Sequence, residues 1–273
     1  GAMDDFGFFV QMIGVFDSWL GGLQSLQYIR NYLPKYDFLY LGDTLHVPYG
    51  EKSEQRIHDR TFTCLEWLFD QWCSLVILAC NTASAYAIRD WQIRFPERKV
   101  LSVTVPGVEA IVYWWLHTPL LLGTKVTIET HIYESVREKA FPEYPVTWYV
   151  QIGTGRVQAI ESWQNPDQLQ AMVNACHLER FLWKIDSIVL WCTHYPLIRE
   201  QIETILPGLP IIDPAFESAQ QLVNYIHRHP DLDIQISKNA TTRYVVTGES
   251  ARFEALVKNV FHEEIVCSTV LIQ

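Results

Sequence analysis

Short apolar runs alternate along the chain with longer stretches in which apolar residues recur at helical spacing. The apolar runs contain few polar residues, as expected for strands buried on both faces of a parallel sheet. They predict strands over residues 12–16, 37–43, 74–80, 100–106, 118–124, 146–152, 187–193, 209–213 and 243–248. The amphipathic stretches between them predict helices over residues 23–33, 53–72, 81–95, 127–141, 166–184, 196–206, 216–229 and 250–262.

Alternation of strand and helix over the whole length predicts an α/β fold with mostly parallel sheets. Right-handed crossovers place the carboxyl end of every strand at one edge of its sheet, so functional residues are expected just after strands. Residues 74–84 and 187–196 are alike, because each apolar strand ends in a cysteine that a threonine and a helix follow. This weak internal symmetry predicts two similar lobes that each contribute one thiol to a shared cleft.

Composition and charge exclude several classes of function. Of the 273 residues, 49% are hydrophobic and 19% charged, which is normal for a folded protein and excludes wholesale disorder. The formal net charge is −10 and no basic run occurs, so neither nucleic acid nor an anionic membrane is an expected partner. A small anion can still bind at a helix N-terminus, which needs no net positive charge.

The sequence also bears on compartment and metal binding. No apolar stretch reaches the ~18–20 uninterrupted residues of a membrane span and no signal peptide opens the sequence, so we expect a cytoplasmic protein. Residues 1–3, Gly-Ala-Met, are typical of a remnant of tag cleavage. The six cysteines form no CxxC pair and have no zinc-finger spacing with histidine, so we expect free thiols and no metal.

Two cysteines lie where a strand gives way to a helix. Backbone N–H groups and the helix dipole at such a junction stabilise an anion, so we expect the Cys80 thiol to ionise more readily than a free cysteine. Cys192 has the same position, and His194 beside it can accept or return a proton. Each alone is also compatible with a small buried residue, but two in matched positions favour chemistry. The remaining cysteines are interpreted as structural, in helical patterns or near the tail: Cys64, Cys73, Cys176 and Cys267.

Polar residues also follow other predicted strands. Asp17 ends the first strand, where a carboxylate can orient a ligand, transfer a proton or cap the next helix. Asp43 begins a segment, residues 43–50, that is either a simple turn or a loop closing over a ligand. Thr124 and Thr127 offer hydroxyls at a helix start, where capping is the simplest interpretation.

These segments belong to a wider pattern that resembles the glutamate racemases of the aspartate/glutamate racemase superfamily. The matching motifs follow the family's order and spacing over nearly the whole chain: Ile13-Gly14-Val15-Phe16-Asp17-Ser18 with Gly21-Gly22-Leu23, Tyr40-Leu41-Gly42-Asp43-Thr44, Val47-Pro48-Tyr49-Gly50, Ala79-Cys80-Asn81-Thr82-Ala83-Ser84, Val105-Pro106-Gly107-Val108, Gly123-Thr124 with Thr127, Cys192-Thr193-His194-Tyr195-Pro196-Leu197, Ile212-Asp213-Pro214 and Thr247-Gly248-Glu249. The two cysteine motifs in this order are far more specific than either alone.

The resemblance implies two pseudo-symmetric α/β domains with the active site in the cleft between them. Residues 11–104 together with 214–268 would form the first domain, and residues 105–213 the second. It implies an amino-acid racemase, an isomerase, that needs no cofactor, interconverts L- and D-glutamate and supplies D-glutamate for peptidoglycan. A homodimer is also implied by family habit and exposed aromatic residues.

The resemblance further implies a role for individual residues. In the family one cysteine thiolate removes the α-proton and the other, as a thiol, donates a proton to the opposite face, so Cys80 and Cys192 form the acid/base pair. Asp17 would assist Cys80, and His194 would assist Cys192. The implied substrate-binding residues are Ser18, Asp43, Tyr49, Gly50, Asn81, Thr82, Thr124, Thr127 and Thr193, with Glu161 matching a further acidic residue of the family.

The chain departs from the family pattern at three places. Trp19 and Trp191 stand where the family usually has glycine, and a left-handed turn there would strain a tryptophan. Both indoles flank proposed catalytic residues and could narrow or block the pocket. Residues 151–156 lack the usual Cys-Pro pattern. These departures bear on rate and substrate choice more than on fold.

Other functions compete with glutamate racemisation. An aspartate racemase or a broad acidic amino-acid racemase uses the same scaffold, and relative rates on the two amino acids distinguish these enzymes. A catalytically impaired descendant acting as a binding or regulatory protein is favoured by Trp19 and Trp191, and it would exchange no α-proton. A zinc enzyme or thiol protease is disfavoured, because metal-ligand spacing is absent and two equivalent thiols do not suit a single nucleophile.

Overall fold

A computed structural model of the protein describes residues 11–153, 160 and 166–273. In chain order its strands are β1 (Met12–Asp17), β2 (Phe38–Gly42), β3 (Cys73–Leu78), β4 (Lys99–Ser102), β5 (Pro119–Gly123), β6 (Tyr149–Ile152), β7 (Ser187–Trp191), β8 (Ile211–Ile212), β9 (Thr242–Val246) and β10 (Cys267–Thr269). Its helices are α1 (Gly22–Tyr32), α2 (Glu54–Asp70), α3 (Asn81–Arg94), α4 (Thr104–Tyr113), α5 (Lys125–Glu129), α6 (Ile132–Ala140), α7 (Pro166–Asn174), α8 (Arg199–Ile205), α9 (Pro214–Arg228), α10 (Pro230–Gln235) and α11 (Ser250–Phe261). Short 3₁₀ turns lie at Thr44–His46, Tyr49–Glu51, Leu178–Phe181 and Tyr195–Ile198.

The strands form two sheets in which all neighbouring strands are parallel. The first sheet has the order β10-β9-β2-β1-β3-β4 and the second β6-β5-β7-β8. The second sheet uses only strands from the middle of the chain, whereas the first combines strands that precede and follow it. This arrangement confirms the predicted α/β class with two parallel sheets. The domain boundaries at 104/105 and 213/214 stay a prediction.

Each sheet is buried on both faces, which is why its strands are continuous apolar runs. In β1, Ile13 and Val15 pack with apolar residues of α1, α9 and α11. Met12 and Phe16 lie on the opposite face and pack with α2 and α3. The second sheet is covered in the same way, with Leu120 and Leu121 in different core clusters. The carboxyl ends of the strands are thereby held at fixed positions.

The largest difference from the predicted elements lies around Pro106. The pattern predicts a strand over residues 100–106 that the proline closes, but β4 ends at Ser102 and α4 begins at Thr104. Pro106 lies in the first turn of this helix, where backbone N–H groups have no intrahelical partner and the loss of one costs little. Because α4 is buried against α6 and α9, it is largely apolar. The apolar run of β4 therefore continues into α4, and the sequence pattern does not mark where the strand ends and the helix begins.

Two predicted helices are interrupted by residues with left-handed backbone. The helix over residues 127–141 is divided at His131, with φ of 51°. The helix over residues 166–184 gives way near His177, with φ of 50°, to a 3₁₀ turn. Neither break involves glycine or proline, so the pattern contains no signal for it. Two short elements, α10 and β10, also escape prediction, and Cys73 begins β3 rather than belonging to a helix.

Candidate active site

A cavity of about 250 Å³ lies where the carboxyl ends of the two sheets face each other. Ten of the predicted site residues line it: Ser18, Tyr49, Gly50, Cys80, Asn81, Thr82, Thr124, Cys192, Thr193 and His194. Asp17, Asp43 and Thr127 are fully buried and do not line it. Glu161 lies outside the described residues. The cavity therefore brings the residues of both cysteine motifs together.

Several residues that line the cavity were not among the site residues predicted from the motifs. Trp19 and Trp191 were noted only as departures from the family pattern, and both line the cavity. Lys125 also lines it and could have been found, because it lies between Thr124 and Thr127 in the sequence. Arg252 is contributed by α11, and nothing in its local sequence indicates a site.

Cys80 is the N-cap residue of α3, with its side chain buried at the cavity. Its Sγ accepts a hydrogen bond from the Ala83 N–H at 3.4 Å and contacts the Ser18 hydroxyl at 3.5 Å. Burial raises the pKa of the Cys80 thiol to about 12, and the nearby Asp17 carboxylate adds to this, while the contacts with Ser18 and Ala83 oppose it. The expectation of an easily ionised thiol is therefore wrong, because burial outweighs the helix N-terminus.

The raised pKa of Cys80 predicts a loss of stability at high pH. Below pH 9.0, the ordinary value, the thiol is protonated in both the folded and the unfolded chain and does not affect stability. Between pH 9.0 and about 12 the unfolded chain releases this proton while the folded chain keeps it, so the free energy of unfolding falls by up to about 1.4 kcal/mol per pH unit. Urea unfolding at pH 8 and pH 10.5 should show a smaller alkaline loss in Cys80→Ala than in the wild type. Equal losses would contradict a buried, protonated thiol.

Cys192 follows β7 and faces the same cavity from the second sheet. Its Sγ lies 3.9 Å from Nδ1 of His194, within the range of a sulfur hydrogen bond. His194 also acts electrostatically on Asp17, where its charge opposes the rise in the pKa of that carboxyl that burial causes. The imidazole thus interacts with both a thiol of the second sheet and a carboxyl of the first.

Asp17 joins the end of β1 to the start of α1. Its Oδ2 accepts hydrogen bonds from the N–H groups of Gly22, at 2.8 Å, and Trp19, at 3.2 Å. The carboxylate therefore satisfies backbone donors at and just before the helix start, but the N-cap residue of α1 is Gly21 and not Asp17. Within the described residues its Oδ1 accepts no hydrogen bond. A side chain at Gly22 would begin 2.3 Å from Cβ of Asp17, so only glycine fits there.

Asp43 holds the loop that carries Tyr49. Its carboxylate accepts hydrogen bonds from the Tyr49 hydroxyl at 2.7 Å, from Thr247 at 2.8 Å and from two nitrogens of Arg60 at 2.9 and 3.0 Å. Burial would raise the pKa of Asp43, but the hydrogen bonds from Arg60 and His46 outweigh it and hold that pKa below its usual value. Since the Tyr49 hydroxyl is committed to Asp43, Tyr49 presents its ring and backbone to the cavity.

A chain of hydroxyl groups links the two sides of the cavity. Thr127 Oγ1 lies 2.7 Å from Oγ1 of Thr82, on α3, and 2.8 Å from Oγ1 of Thr124. Thr124 also caps α5 by accepting the Thr127 N–H at 3.4 Å. Thr127 therefore fixes the side chains of two residues that line the cavity, although it does not line the cavity itself.

The two tryptophans do not strain the backbone. Neither Trp19 nor Trp191 has a positive φ, so the expected left-handed turn does not occur at either position. Trp191 is the last residue of β7 and packs on the ring of Tyr133. Both indoles form part of the wall, and the cavity persists beside them.

The described residues contain neither a membrane-spanning helix nor a group of metal ligands. No helix there is both long and apolar enough to cross a bilayer. In the same part of the chain, no three side chains of His, Cys, Asp or Glu are grouped so that they could hold a metal ion.

Comparison with known proteins gives consistent relatives, although no protein-family model matches the chain. A glutamate racemase from Aquifex aeolicus is 32% identical over 254 residues, which cover 93% of this chain and 95% of the relative. The crystal structure of a glutamate racemase isoform from Bacillus anthracis superposes with a TM-score of 0.86 at 25% identity, over 96% of this chain and 98% of that one. The structure of glutamate racemase from Francisella tularensis in complex with D-glutamate has a TM-score of 0.84 at 28% identity, over 97% and 98%.

The fold, the paired thiols and these relatives together define an isomerase of the amino-acid racemase class. Within that class the level of identity over nearly the full length decides the family. The chain belongs to the glutamate racemase family.

Proposed function

We propose that the protein interconverts L- and D-glutamate without a cofactor, with Cys80 and Cys192 as the two acid/base groups, and that it supplies D-glutamate for peptidoglycan. The observation that carries this proposal is that thiols from two separate sheets line one cavity. The cavity, about 250 Å³, is slightly smaller than the ~300–1,000 Å³ of typical small-molecule pockets, which suits a compact amino acid. A relative of the same fold binds D-glutamate.

Inversion at Cα needs one proton-transferring group on each face. The thiolate of one cysteine takes the α-proton and becomes a thiol, and the bond electrons remain on the substrate as a carbanion. The thiol of the other cysteine then gives its proton to the opposite face and becomes a thiolate. The product has the opposite configuration, and the two cysteines have exchanged protonation states, so the same groups serve the reverse reaction.

The carbanion must be stabilised by the protein, because without pyridoxal phosphate the substrate has no electron sink. Asn81 and Thr82, in the first turn of α3, line the cavity, and a helix N-terminus offers backbone N–H groups and the positive end of the helix dipole to an anion. We propose that these groups, with Ser18, Thr124 and Thr193, bind the carboxylates and the ammonium group.

We further propose that Asp17 and His194 adjust the protonation of the thiols. His194 is 3.9 Å from Cys192 and can accept its proton before the reaction or return it afterwards. The carboxylate of Asp17 influences both Cys80 and His194 electrostatically. Asp43 and Thr127 act indirectly in this proposal, by holding Tyr49 and the two threonines of the wall.

The remaining parts of the proposal concern the whole molecule. We propose domains of residues 11–104 with 214–268 and of residues 105–213, a cytoplasmic location and a homodimer. Exposed aromatic side chains that suit an interface are Tyr113, Trp114, Trp115 and Trp183.

Exchange of the α-proton in D₂O tests the proposed reaction directly. With no added cofactor, both enantiomers of glutamate should lose the Cα–H signal in the NMR spectrum, and the circular dichroism of either should decay to zero. Aspartate, shorter by one methylene, should react roughly 10–200-fold more slowly. Faster exchange with aspartate would favour the aspartate racemase, and no exchange with either would leave a binding protein as the explanation.

A further inference from the structure

Trp191 anchors the end of β7 on the face of the second sheet that is opposite to Cys192. Side chains alternate between the two faces along a strand. Cys192 accordingly packs with Ile188 and Leu190 on one face. Trp191 packs with Val189 on the other face, among residues of α4 and α6, and it is only 1% exposed. The residue directly before the second thiol is therefore fixed by packing from behind the sheet.

The ring of Tyr133, on α6, packs on the Trp191 indole. The two ring centroids lie 3.5 Å apart and the ring planes are inclined at 63°. Tyr133 is fully buried, and within the described residues neither its hydroxyl nor the indole N–H of Trp191 forms a hydrogen bond. Packing, and not hydrogen bonding, therefore holds the two rings together.

The hydroxyl end of Tyr133 lies at the two segments that connect the sheets. The chain passes from the first sheet to the second through α4, and it leaves the second sheet through α9. Gly107 lies in α4, and Pro214 is the first residue of α9. A Cβ at Gly107 would lie 2.9 Å from the Tyr133 hydroxyl oxygen and 3.1 Å from Cγ of Pro214, so these residues are closely packed. The carboxylate of Asp213, the N-cap residue of α9, adds to the rise in the pKa of Tyr133 that burial causes.

We propose that Trp191 and Tyr133 are positioning residues that set the place of the Cys192 thiol relative to the first sheet, an inference that rests on the proposed function. The two rings form a path of packed groups from the residue before Cys192 to α4 and α9. Because protein interiors are close-packed, neither ring can shift without displacing a buried neighbour. Cys80 lies in a core cluster of the first sheet, outside this path. Loosening the path should therefore misplace one thiol and leave the other in place.

Trp191→Ala and Tyr133→Leu test the path at two points, one beside the thiol and one away from the cavity. Each should lower kcat about 10–100-fold, because a misplacement of about 1 Å near reacting groups costs up to about 10²-fold. Trp191→Phe leaves a smaller ring and should give the same effects at reduced size, which keeps the test valid if Trp191→Ala does not fold. Tyr133→Phe keeps the ring and should retain kcat within about threefold.

Val189→Ala is the matched control. Val189 is buried on the same face of the same strand, two residues before Trp191, and it does not line the cavity. Its replacement opens space in the same core cluster, so it should lower stability and leave kcat within about twofold.

The kinetic isotope effect of α-deuterated glutamate distinguishes a misplaced thiol from a general loss of structure. In the proposed reaction each cysteine removes the α-proton of one enantiomer. If Cys192 alone is misplaced, its proton transfer becomes rate-limiting in both directions. The isotope effect in Trp191→Ala and Tyr133→Leu should then rise for the enantiomer that Cys192 deprotonates and fall for the enantiomer that Cys80 deprotonates.

Alkylation by iodoacetamide measures the displacement without relying on catalysis. Mass spectrometry should show several-fold faster modification of the Cys192 peptide in Trp191→Ala and Tyr133→Leu than in the wild type and Val189→Ala, with the Cys80 peptide as an unchanged internal reference. Isotope effects that change equally for both enantiomers, or alkylation of Cys192 at the wild-type rate, overturn the positioning role. Faster alkylation of Cys192 in these variants, with no racemisation by the wild type, overturns the proposed function and leaves the packed path standing.

Discussion

Replacing either Cys80 or Cys192 by alanine is expected to lower kcat for glutamate racemisation by at least about 10³-fold, starting from either enantiomer. Each proton transfer by a positioned group contributes roughly 10²–10⁴-fold, and inversion requires both transfers in every turnover. The losses should not add, so the double variant should be about as slow as each single one. Decay of the circular dichroism of D-glutamate and of L-glutamate measures both directions.

Cys176→Ala is the matched control for the Cys192 variant. Cys176 is buried in the same core cluster as Cys192, but it does not line the cavity. Its replacement should cost about 1 kcal/mol of stability and leave kcat unchanged. A kcat within tenfold of the wild type in Cys80→Ala or Cys192→Ala would mean that another group transfers the proton, and the two-thiol mechanism would be wrong.

The positions of the thiols could be predicted because parallel topology is a strong constraint. Once the alternation of strand and helix is recognised, residues that follow buried strands must gather at the carboxyl edge. Ser18, Cys80, Thr124 and Cys192 all follow strands, and all line the cavity. The sequence alone is sufficient for this prediction, because an apolar run indicates both that a strand is buried and where the strand ends.

The side chains that hold the site residues in place could not be predicted, because they are distant from those residues in sequence. Asp43 is held by Arg60, 17 residues away, and by Thr247, 204 residues away. Arg252 and Trp19 come from opposite ends of the chain and meet only through the packing of α11 on the first sheet. Neither contact produces a spacing or a periodicity that can be recognised in a single sequence.

The prediction that the Cys80 thiol ionises readily was wrong for a related reason. Its position at the start of a helix is visible in the sequence and correctly indicates donors near the sulfur. The degree of burial and the proximity of Asp17 depend on tertiary packing, and they act in the opposite direction on the pKa. A local motif therefore predicts which groups surround a thiol better than it predicts how strongly the thiol holds its proton.

Gly21→Ala is expected to lower kcat about 100-fold while leaving the protein folded. Gly21 has φ of −62° and ψ of −28°, a backbone that alanine adopts without strain, so the effect comes from space alone. A Cβ there would lie 2.3 Å from Oγ1 of Thr193 and 2.6 Å from its carbonyl carbon. Relief requires the segment between Cys192 and His194 to move by about 1 Å relative to the first sheet, and a misplacement of that size near reacting groups costs about 10²-fold.

Gly208 provides the control, because its backbone is left-handed and the space around it is open. Gly208 has φ of 78°, and a Cβ there would meet no atom within 4 Å, so Gly208→Ala strains the backbone without displacing a neighbour. It should cost about 1–2 kcal/mol in unfolding experiments and leave kcat unchanged. If Gly21→Ala retained kcat within about threefold, the two sides of the cavity could separate there without harming proton transfer. The catalytic geometry would then not depend on the contact between Gly21 and Thr193, and the thiols would have to be positioned by their own sheets alone.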